Sequence, residues 1–174
     1  FLFTLSSCDN KAENSGPSIA PPSEDLYLRN RVAWQQPAVV LDAMGDLEEK
    51  VVADIGAGEG FFAKRLAPLC DRVIAIEIDP VLVKYLNDTL RQMDLPQQIK
   101  PRLEARLATA DDPHLEANEV DIVLMVNTFM EITQQLRYLK DLKPGLKQGG
   151  RIVIVDWKKR LMPKGVGPDQ EKRL

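Results

Sequence analysis

The stretch Val51 to Ala67, VVADIGAGEGFFAKRLA, decides the fold of this 174-residue chain. Its first residues are apolar and predict a short β-strand that ends at Asp54-Ile55. Gly56, Gly58 and Gly60 follow, and glycines permit positive φ angles and let a ligand approach the backbone closely. The amphipathic segment that begins near Gly60 predicts a helix whose first N–H groups face that ligand. The stretch therefore predicts a strand, loop and helix that bind a nucleotide-like ligand.

Further strands are predicted along the rest of the chain. They are residues 72–78, part of 99–108, the strongly apolar 120–126, and 151–156 after a turn at Gln148-Gly149-Gly150. Pro101 and charged neighbours blur the second of these, as an outer strand tolerates. Strands that are apolar on both faces and separated by helices predict an α/β fold with a doubly wound, mostly parallel sheet. No strand follows the apolar last one, so we expect that C-terminal strands are missing here.

Four helices are predicted from apolar residues at helical spacing. The first lies within residues 26–47 and ends at Gly45, and Pro80 begins the third, which stops at Asp94-Leu95-Pro96. The predicted buried faces are Val40, Leu41 and Met44; Phe62, Leu66 and Leu69; Leu82, Leu86, Leu90 and Met93; and Ile132, Leu136 and Leu139.

Composition excludes several classes of function. A formal net charge of -3 does not favour nucleic acid as a partner. Cys8, Cys70 and the single histidine, His114, cannot form a disulfide framework or a zinc cluster, so we expect no metal site. No apolar run approaches the roughly 18 to 20 residues of a membrane-spanning helix.

The beginning of the chain differs in character from the rest. Leu5-Ser6-Ser7-Cys8 resembles the lipobox of bacterial lipoproteins, in which the cysteine is lipidated. Residues 9–25 are polar and rich in proline, and predict a disordered linker. We therefore expect residues 1–8 to be a signal-peptide remnant and residues 26–174 to be a folded domain, truncated at its C-terminus. The alternative is a chance cysteine on a cytoplasmic protein.

Between Gln35 and Asp156 the chain resembles the class I S-adenosylmethionine-dependent methyltransferases, in particular small-molecule enzymes of the type 11 kind. Asp54 to Gly60, DIGAGEG, is similar to the first motif of that family, and Glu77 matches its acid after the second strand. Residues 120–124, VDIVL, and 146–156, LKQGGRIVIVD, are similar to the motifs of the fourth and fifth strands. Gln148 departs from the pattern, since the family usually has proline there.

The resemblance implies S-adenosylmethionine as cofactor and assigns roles to single residues. Asp54 would bind the methionyl ammonium, Glu77 the ribose hydroxyls, and Asp111, or alternatively Asp112, the adenine amino group. The full set expected to bind cofactor is Asp54, Gly56, Ala57, Gly58, Gly60, Glu77, Ile78, Asp111, Asp112 and Asn127. Thr128 and Asp156 are candidates for the acceptor pocket, and no catalytic base is assigned.

Two other functions remain open. A nicotinamide-dependent dehydrogenase also binds ribose through an acid, but its loop reads GxGxxG, and Phe61 stands where that loop has its third glycine. A lipoprotein anchored in the bacterial cell envelope through Cys8 would instead keep the fold as a non-catalytic cofactor-binding module, because S-adenosylmethionine is made in the cytoplasm. The expected partner of an enzyme is a small-molecule methyl acceptor whose identity the sequence does not specify.

Overall fold

The structure, a computed structural model, describes residues 31–92 and 102–158. The expected lipidation site at Cys8, the linker 9–25 and the helix stop at Asp94-Leu95-Pro96 lie outside these residues.

The centre of the molecule is a sheet of five parallel strands in the order β3-β2-β1-β4-β5. The strands are β1 Val51–Ile55, β2 Arg72–Glu77, β3 Leu103–Leu107, β4 Val120–Val126 and β5 Leu146–Val155. The predicted α/β fold with its parallel sheet is confirmed, and the blurred strand, β3, does lie at an edge. After β3 the chain crosses back to the other side of β1, so the order of the strands reverses between β1 and β4.

The helices are α1 Pro37–Ala43, α2 Ala63–Leu66, α3 Pro80–Gln92 and α4 Gln135–Leu142, with 3-10 turns at Phe129–Glu131 and Lys143–Gly145. Gly45 ends α1 in the left-handed conformation, φ +70°, as predicted. The helix after the glycine loop is shorter than predicted. It ends at Leu66, so the helical spacing does not continue and Leu69 is 47% exposed.

The predicted buried face of α4 is wrong at Leu136, whereas Ile132 and Leu139 do pack against the core. Leu136 is 77% exposed, whereas Tyr138 and Leu142 are buried. Ile132 precedes the helix in an extended conformation, with φ -77° and ψ 117°, because it caps the preceding 3-10 turn. The spacing from Ile132 to Leu136 therefore does not run along one continuous helix, and Leu136 falls on the exposed side of α4.

The sheet separates two apolar layers, because successive side chains of a strand point to opposite faces. On one face, β1, β2 and β4 pack against α1, α2 and α3 through residues such as Val52, Met44 and Leu66. On the other face the same strands pack against α4 through Ile55, Tyr138 and other residues. Each fully buried leucine or isoleucine contributes roughly 1.5 to 3 kcal/mol of burial free energy.

The predicted turn at Gln148-Gly149-Gly150 is an irregularity inside β5. Val120 pairs with Leu146 and Ile122 with Arg151, so residues 147–150 of β5 stand opposite Asp121 alone. Such an insertion requires unusual backbone, and Gly149 supplies it with φ +78°. The strand therefore begins five residues earlier than predicted.

The edge strand β3 is tied to its neighbours by charged side chains. Arg106 donates hydrogen bonds to Glu119 at 2.8 Å and to Glu104 at 2.9 Å, and Arg72 donates to both acids at 2.8 Å. The hydrogen bonds from Arg106 lower the pKa of the Glu119 carboxyl to about 2. Ionised Glu119 therefore stabilises this edge of the sheet at neutral pH.

Residues 31–36 belong to a separate unit. They are helical over 31–35, and Arg31 Nε donates to Gln35 Oε1 at 2.6 Å. Within the described ranges, no helix is long and apolar enough to span a bilayer. In the same ranges, no three His, Cys, Asp or Glu side chains are grouped so as to hold a metal ion.

Candidate active site

The glycine loop follows β1 and turns sharply at its glycines. Gly56, Gly58 and Gly60 have φ angles of +75°, +55° and +79°, a region that side-chain-bearing residues rarely adopt. The N–H groups of Gly56 and Ala57 both donate to the carbonyl of Ile76, at 2.9 and 3.1 Å. These bonds fix the beginning of the loop against the end of β2.

Gly56 also packs against the end of β4. A Cβ atom at this position would lie 3.0 Å from Thr128 Cβ and still nearer to Thr128 Oγ1 and Cγ2. A Cβ at Gly58, by contrast, would have no atom within 4 Å. Gly56 is therefore required by the packing of β4, whereas Gly58 faces open space that a ligand can enter.

Glu77 joins the glycine loop to the loop that follows β2. Its Oε2 accepts a hydrogen bond from the N–H of Gly58 at 2.9 Å. Its Oε1 accepts from the N–H groups of Ile78, at 2.7 Å, and Asp79, at 3.1 Å. The residue is only 8% exposed, so these bonds replace the water that a buried carboxylate loses.

A cavity of about 240 Å³ lies at the carboxyl ends of the strands, beside the point where the strand order reverses. Ligands of open α/β sheets bind at such points. The lining residues are Ile55, Gly56, Ile76, Glu77, Ile78, Ala108, Thr109, Ala110, Asp111, Asn127, Thr128, Glu131, Ile132, Thr133 and Tyr138.

The charges in this cavity are all of one sign. Glu77, Asp111 and Glu131 line it, and no lysine, arginine or histidine does so among the described residues. The phenol of Tyr138 adds no charge at neutral pH, because burial raises its pKa to about 12. The cavity therefore favours a ligand that is neutral or carries a positive group.

The two candidates for binding the adenine amino group have different surroundings. Asp111 is exposed and lines the cavity. Asp112 instead uses its Oδ1 to accept from the N–H of His114 at 2.7 Å, within a turn in which its own N–H donates to Thr109 Oγ1. The geometry favours Asp111 over Asp112 as a residue that meets a ligand.

Asp156 was expected to line the acceptor pocket, and it does not line the cavity. Its Oδ2 accepts from the N–H of Met130 at 3.0 Å, and its Oδ1 accepts from the N–H of Trp157 at 3.1 Å. Gln135 Nε2 donates to the carbonyl of Phe129 at 2.9 Å. Asp156 therefore holds the 3-10 turn that carries the wall of the cavity, because it satisfies one of the unpaired N–H groups of that turn.

Five of the residues expected to bind cofactor do not line the cavity. They are Asp54, Ala57, Gly58, Gly60 and Asp112. Asp54 is 3% exposed at the end of β1, on the sheet face of Val52, whereas the cavity opens on the opposite face with Ile55. Side-chain alternation along β1 thus separates Asp54 from the cavity. Of the expected residues, the cavity brings together Gly56, Glu77, Ile78, Asp111, Asn127 and Thr128.

Several lining residues were missed by the sequence reasoning. Thr109 and Ala110 follow β3, whose end was not located, and Tyr138 reaches the cavity from α4. Glu131, which is not among the predicted site residues, lies in the 3-10 turn Phe129–Glu131 and also lines the cavity. The position of Glu131 shortly after the end of a predicted strand is the sequence feature that indicates a residue of the cavity lining.

Cys70 and His114 behave as ordinary structural residues. Cys70 is 2% exposed, its thiol donates to the carbonyl of Leu66 at 2.9 Å, and burial raises its pKa to about 12. His114 is exposed, and its ring Nδ1 lies 3.1 Å from the carbonyl of Leu107. Neither side chain lines the cavity.

The sheet order, the glycine loop and the acid after β2 together define the S-adenosylmethionine-dependent methyltransferase fold. Residues 53–154 match the type 11 methyltransferase domain family, so the chain belongs to this family. A SAM-dependent methyltransferase from Aquifex aeolicus is similar in structure, with a TM-score of 0.73 and 28% identity. That match covers 83% of this chain and 75% of the other.

Curated relatives include enzymes with different acceptors. Ribosomal RNA small subunit methyltransferase A of Koribacter versatilis is 32% identical over 66% of this chain. The chloroplastic tocopherol O-methyltransferase of Arabidopsis thaliana is 27% identical over 74% of it. The chain spans 33% and 36% of these two proteins, about a third of their length.

Proposed function

We propose that this protein is an S-adenosylmethionine-dependent methyltransferase that methylates a small-molecule acceptor. The observation that supports this most strongly is the cavity beside the glycine loop, which has three carboxylates and no basic residue in its lining. The cofactor carries a sulfonium cation, so an acidic surrounding suits it.

The proposed cofactor contacts follow from the positions of the residues. Glu77 has one carboxylate lone pair that no backbone N–H uses, and this is available to a ribose hydroxyl. Asp111 would accept from the adenine amino group, and the exposed side chain of Ile78 would cover one face of the base. Asp54 lies on the other sheet face, and Gly58 borders open space, so we propose that the methionine portion extends past these two residues.

A dinucleotide is the less suitable ligand. Its pyrophosphate would bring negative charge to a cavity lined by Glu77, Asp111 and Glu131. Phe61 is 5% exposed and packs edge-on against Phe62, with 5.2 Å between the ring centroids. A buried phenylalanine thus occupies the place where a dinucleotide loop requires glycine for close packing of its helix.

The chemistry of methyl transfer places few demands on the protein. The sulfonium methyl is already activated, and an acceptor atom displaces the thioether in line, so catalysis consists mainly of bringing the two together. Asn127 and Thr128 at the end of β4, and Glu131 on the following turn, are the candidate residues for orienting the acceptor. Tyr138 stays protonated at neutral pH and so would serve as a hydrogen-bond donor, not as a base.

The acidic edge of the sheet favours a small acceptor over RNA. Asp79 and Asp111 are exposed at this edge, and Glu131 is exposed on the neighbouring turn. A polyanion would be repelled by these groups, since RNA binding draws its affinity largely from basic side chains. The similarity to the ribosomal RNA methyltransferase of Koribacter versatilis extends over 33% of that protein's length.

The test is a methyl-transfer assay with radiolabelled S-adenosylmethionine. The purified protein is incubated with a panel of quinols, phenols and amines, and in parallel with ribosomal RNA and an unrelated protein. Transfer to a small molecule supports the proposal, and transfer to RNA alone contradicts its acceptor class. Retention of cofactor without any transfer would favour a non-catalytic cofactor-binding module.

We propose separately that Cys8 is lipidated and anchors the protein to the cell envelope. The lipobox-like residues 5–8 and the polar linker 9–25 support this. Cells of a bacterial host that express the gene are labelled with radioactive palmitate, and a Cys8→Ser variant is the control. Label that enters the wild type but not the variant supports the anchor. The same labelling of both proteins, or of neither, contradicts it.

A further inference from the structure

We infer that Glu77 is a positioning residue for the glycine loop as well as a ligand for ribose. This inference rests on the proposed function, because it concerns the same site. Its evidence is the set of three backbone hydrogen bonds that the carboxylate accepts from the protein itself.

The bonds divide unequally between the two oxygens. Oε1 accepts from Ile78 and Asp79, on the loop after β2, and these N–H groups are close to Glu77 in sequence. Oε2 accepts from Gly58, which lies on a different loop, nineteen residues earlier. The Oε2 bond therefore connects the two loops through a side chain. The ring of contacts is closed by the backbone bonds from Gly56 and Ala57 to the carbonyl of Ile76.

The conformation of Gly58 needs such a restraint. Its φ is +55°, and a Cβ there would have no atom within 4 Å, so Gly58 itself has open space where its neighbour Ala57 is buried in the core. Gly56 and Gly60, in contrast, abut Thr128 and Leu86. The buried carboxylate of Glu77 accepts directly from the N–H of Gly58, and a hydrogen bond to a charged acceptor is stronger than one between neutral groups.

Glutamine cannot reproduce this arrangement. A carboxylate offers acceptor positions on both oxygens, whereas a glutamine side chain has one acceptor oxygen and one amide nitrogen that only donates. An oxygen that faces Ile78 and Asp79 keeps two hydrogen bonds, whereas one that faces Gly58 keeps a single bond, so the first orientation is favoured. The amide nitrogen then faces the N–H of Gly58, and two donors meet. Glu77→Gln therefore releases the glycine loop while it changes the side chain's size very little.

The experiment separates the two roles of Glu77 by using ligands with and without ribose hydroxyls. Affinities of wild type and Glu77→Gln are measured for adenosine and for 2′,3′-dideoxyadenosine by calorimetric titration. A residue that only binds hydroxyls would leave dideoxyadenosine binding unchanged. A residue that also positions the loop weakens dideoxyadenosine binding, and we expect a loss of about tenfold, the size of one hydrogen bond to a charged group.

A second readout needs no ligand. Amide hydrogen exchange of Gly58, followed by NMR in the free protein, is expected to accelerate in Glu77→Gln. Asp79→Asn is the matched control, because it removes an exposed carboxylate at the same edge that accepts only from the N–H of Val81. Thermal unfolding checks that both variants are folded.

The outcomes are distinct. Faster exchange at Gly58 together with weaker dideoxyadenosine binding supports the inference. Unchanged exchange, or dideoxyadenosine affinity equal to that of wild type, overturns it. If the wild type binds neither adenosine compound, the proposed function fails, and the exchange at Gly58 still decides whether Glu77 holds the loop.

Discussion

Replacement of Gly56 by alanine tests how the glycine loop is built. Two costs add at this position. An alanine at φ +75° pays roughly 1 to 2 kcal/mol for the left-handed conformation. The new methyl group also overlaps the side chain of Thr128, and overpacking of this kind costs about 1 to 3 kcal/mol. The expected loss in the free energy of unfolding is therefore about 2 to 5 kcal/mol by summing these two terms.

Matched variants separate the two costs. Gly58→Ala meets no atom within 4 Å, so it should show the conformational cost alone. Thr128→Ala removes the overlapping Oγ1 and Cγ2 atoms, so the double variant Gly56→Ala/Thr128→Ala should recover much of the overpacking cost. Urea unfolding followed by circular dichroism measures the wild type, the three single variants and the double variant. If the changes in unfolding free energy of Gly56→Ala and Thr128→Ala simply add in the double variant, the contact between the two residues is refuted. Residues in contact are expected to give a coupling free energy in a double-mutant cycle.

Three other perturbations follow from the structure. Asp156→Ala should destabilise the protein by roughly 1 to 3 kcal/mol in urea unfolding, because the half-buried N–H of Met130 loses its acceptor. Asp156→Asn keeps an oxygen and should restore most of this stability. Equal losses in both variants would contradict the role of that bond. Cys70 should resist thiol reagents at pH 8 in the folded protein and react in urea, since a pKa of about 12 leaves roughly one thiolate in ten thousand. A Cys8→Ser variant ensures that the reaction measured is that of Cys70. Rapid reaction of the folded protein would contradict the burial of this thiol. Because the pKa of Glu119 falls from 4.5 to about 2 on folding, its contribution to stability is complete above pH 4.5 and is lost as the pH falls toward 2. Glu119→Gln should therefore flatten the pH dependence of the urea midpoint between pH 4.5 and pH 2. An unchanged pH dependence would contradict this role of Glu119.

Periodicity predicted most of the sheet, because strands that are buried on both faces appear as continuous apolar runs. The strand at Val120–Val126 has the predicted bounds, and β2 ends one residue before the prediction. The helices were less predictable. The apolar face of α4 was assigned across Ile132, which lies outside the helix, and no local signal in the sequence marks the extended residue that interrupts the spacing.

The site was predictable where residues act through backbone geometry and less so where they act through distant contacts. The glycines of the loop are recognisable because few other residues adopt positive φ. The role of Asp156 as support for the turn at Met130 depends on a contact across 26 positions of the chain. Tyr138 lines the cavity because the rotation of α4 brings it there, and a helical pattern alone does not say which strand ends it faces.

The central claim is that the cavity beside the glycine loop binds S-adenosylmethionine. Calorimetric titration of the purified protein with S-adenosylmethionine, S-adenosylhomocysteine and NAD tests it most directly. We expect both adenosyl compounds to bind and Asp111→Asn to weaken them, while NAD gives no heat of binding. Binding of NAD alone, or of none of the three, would contradict the claim.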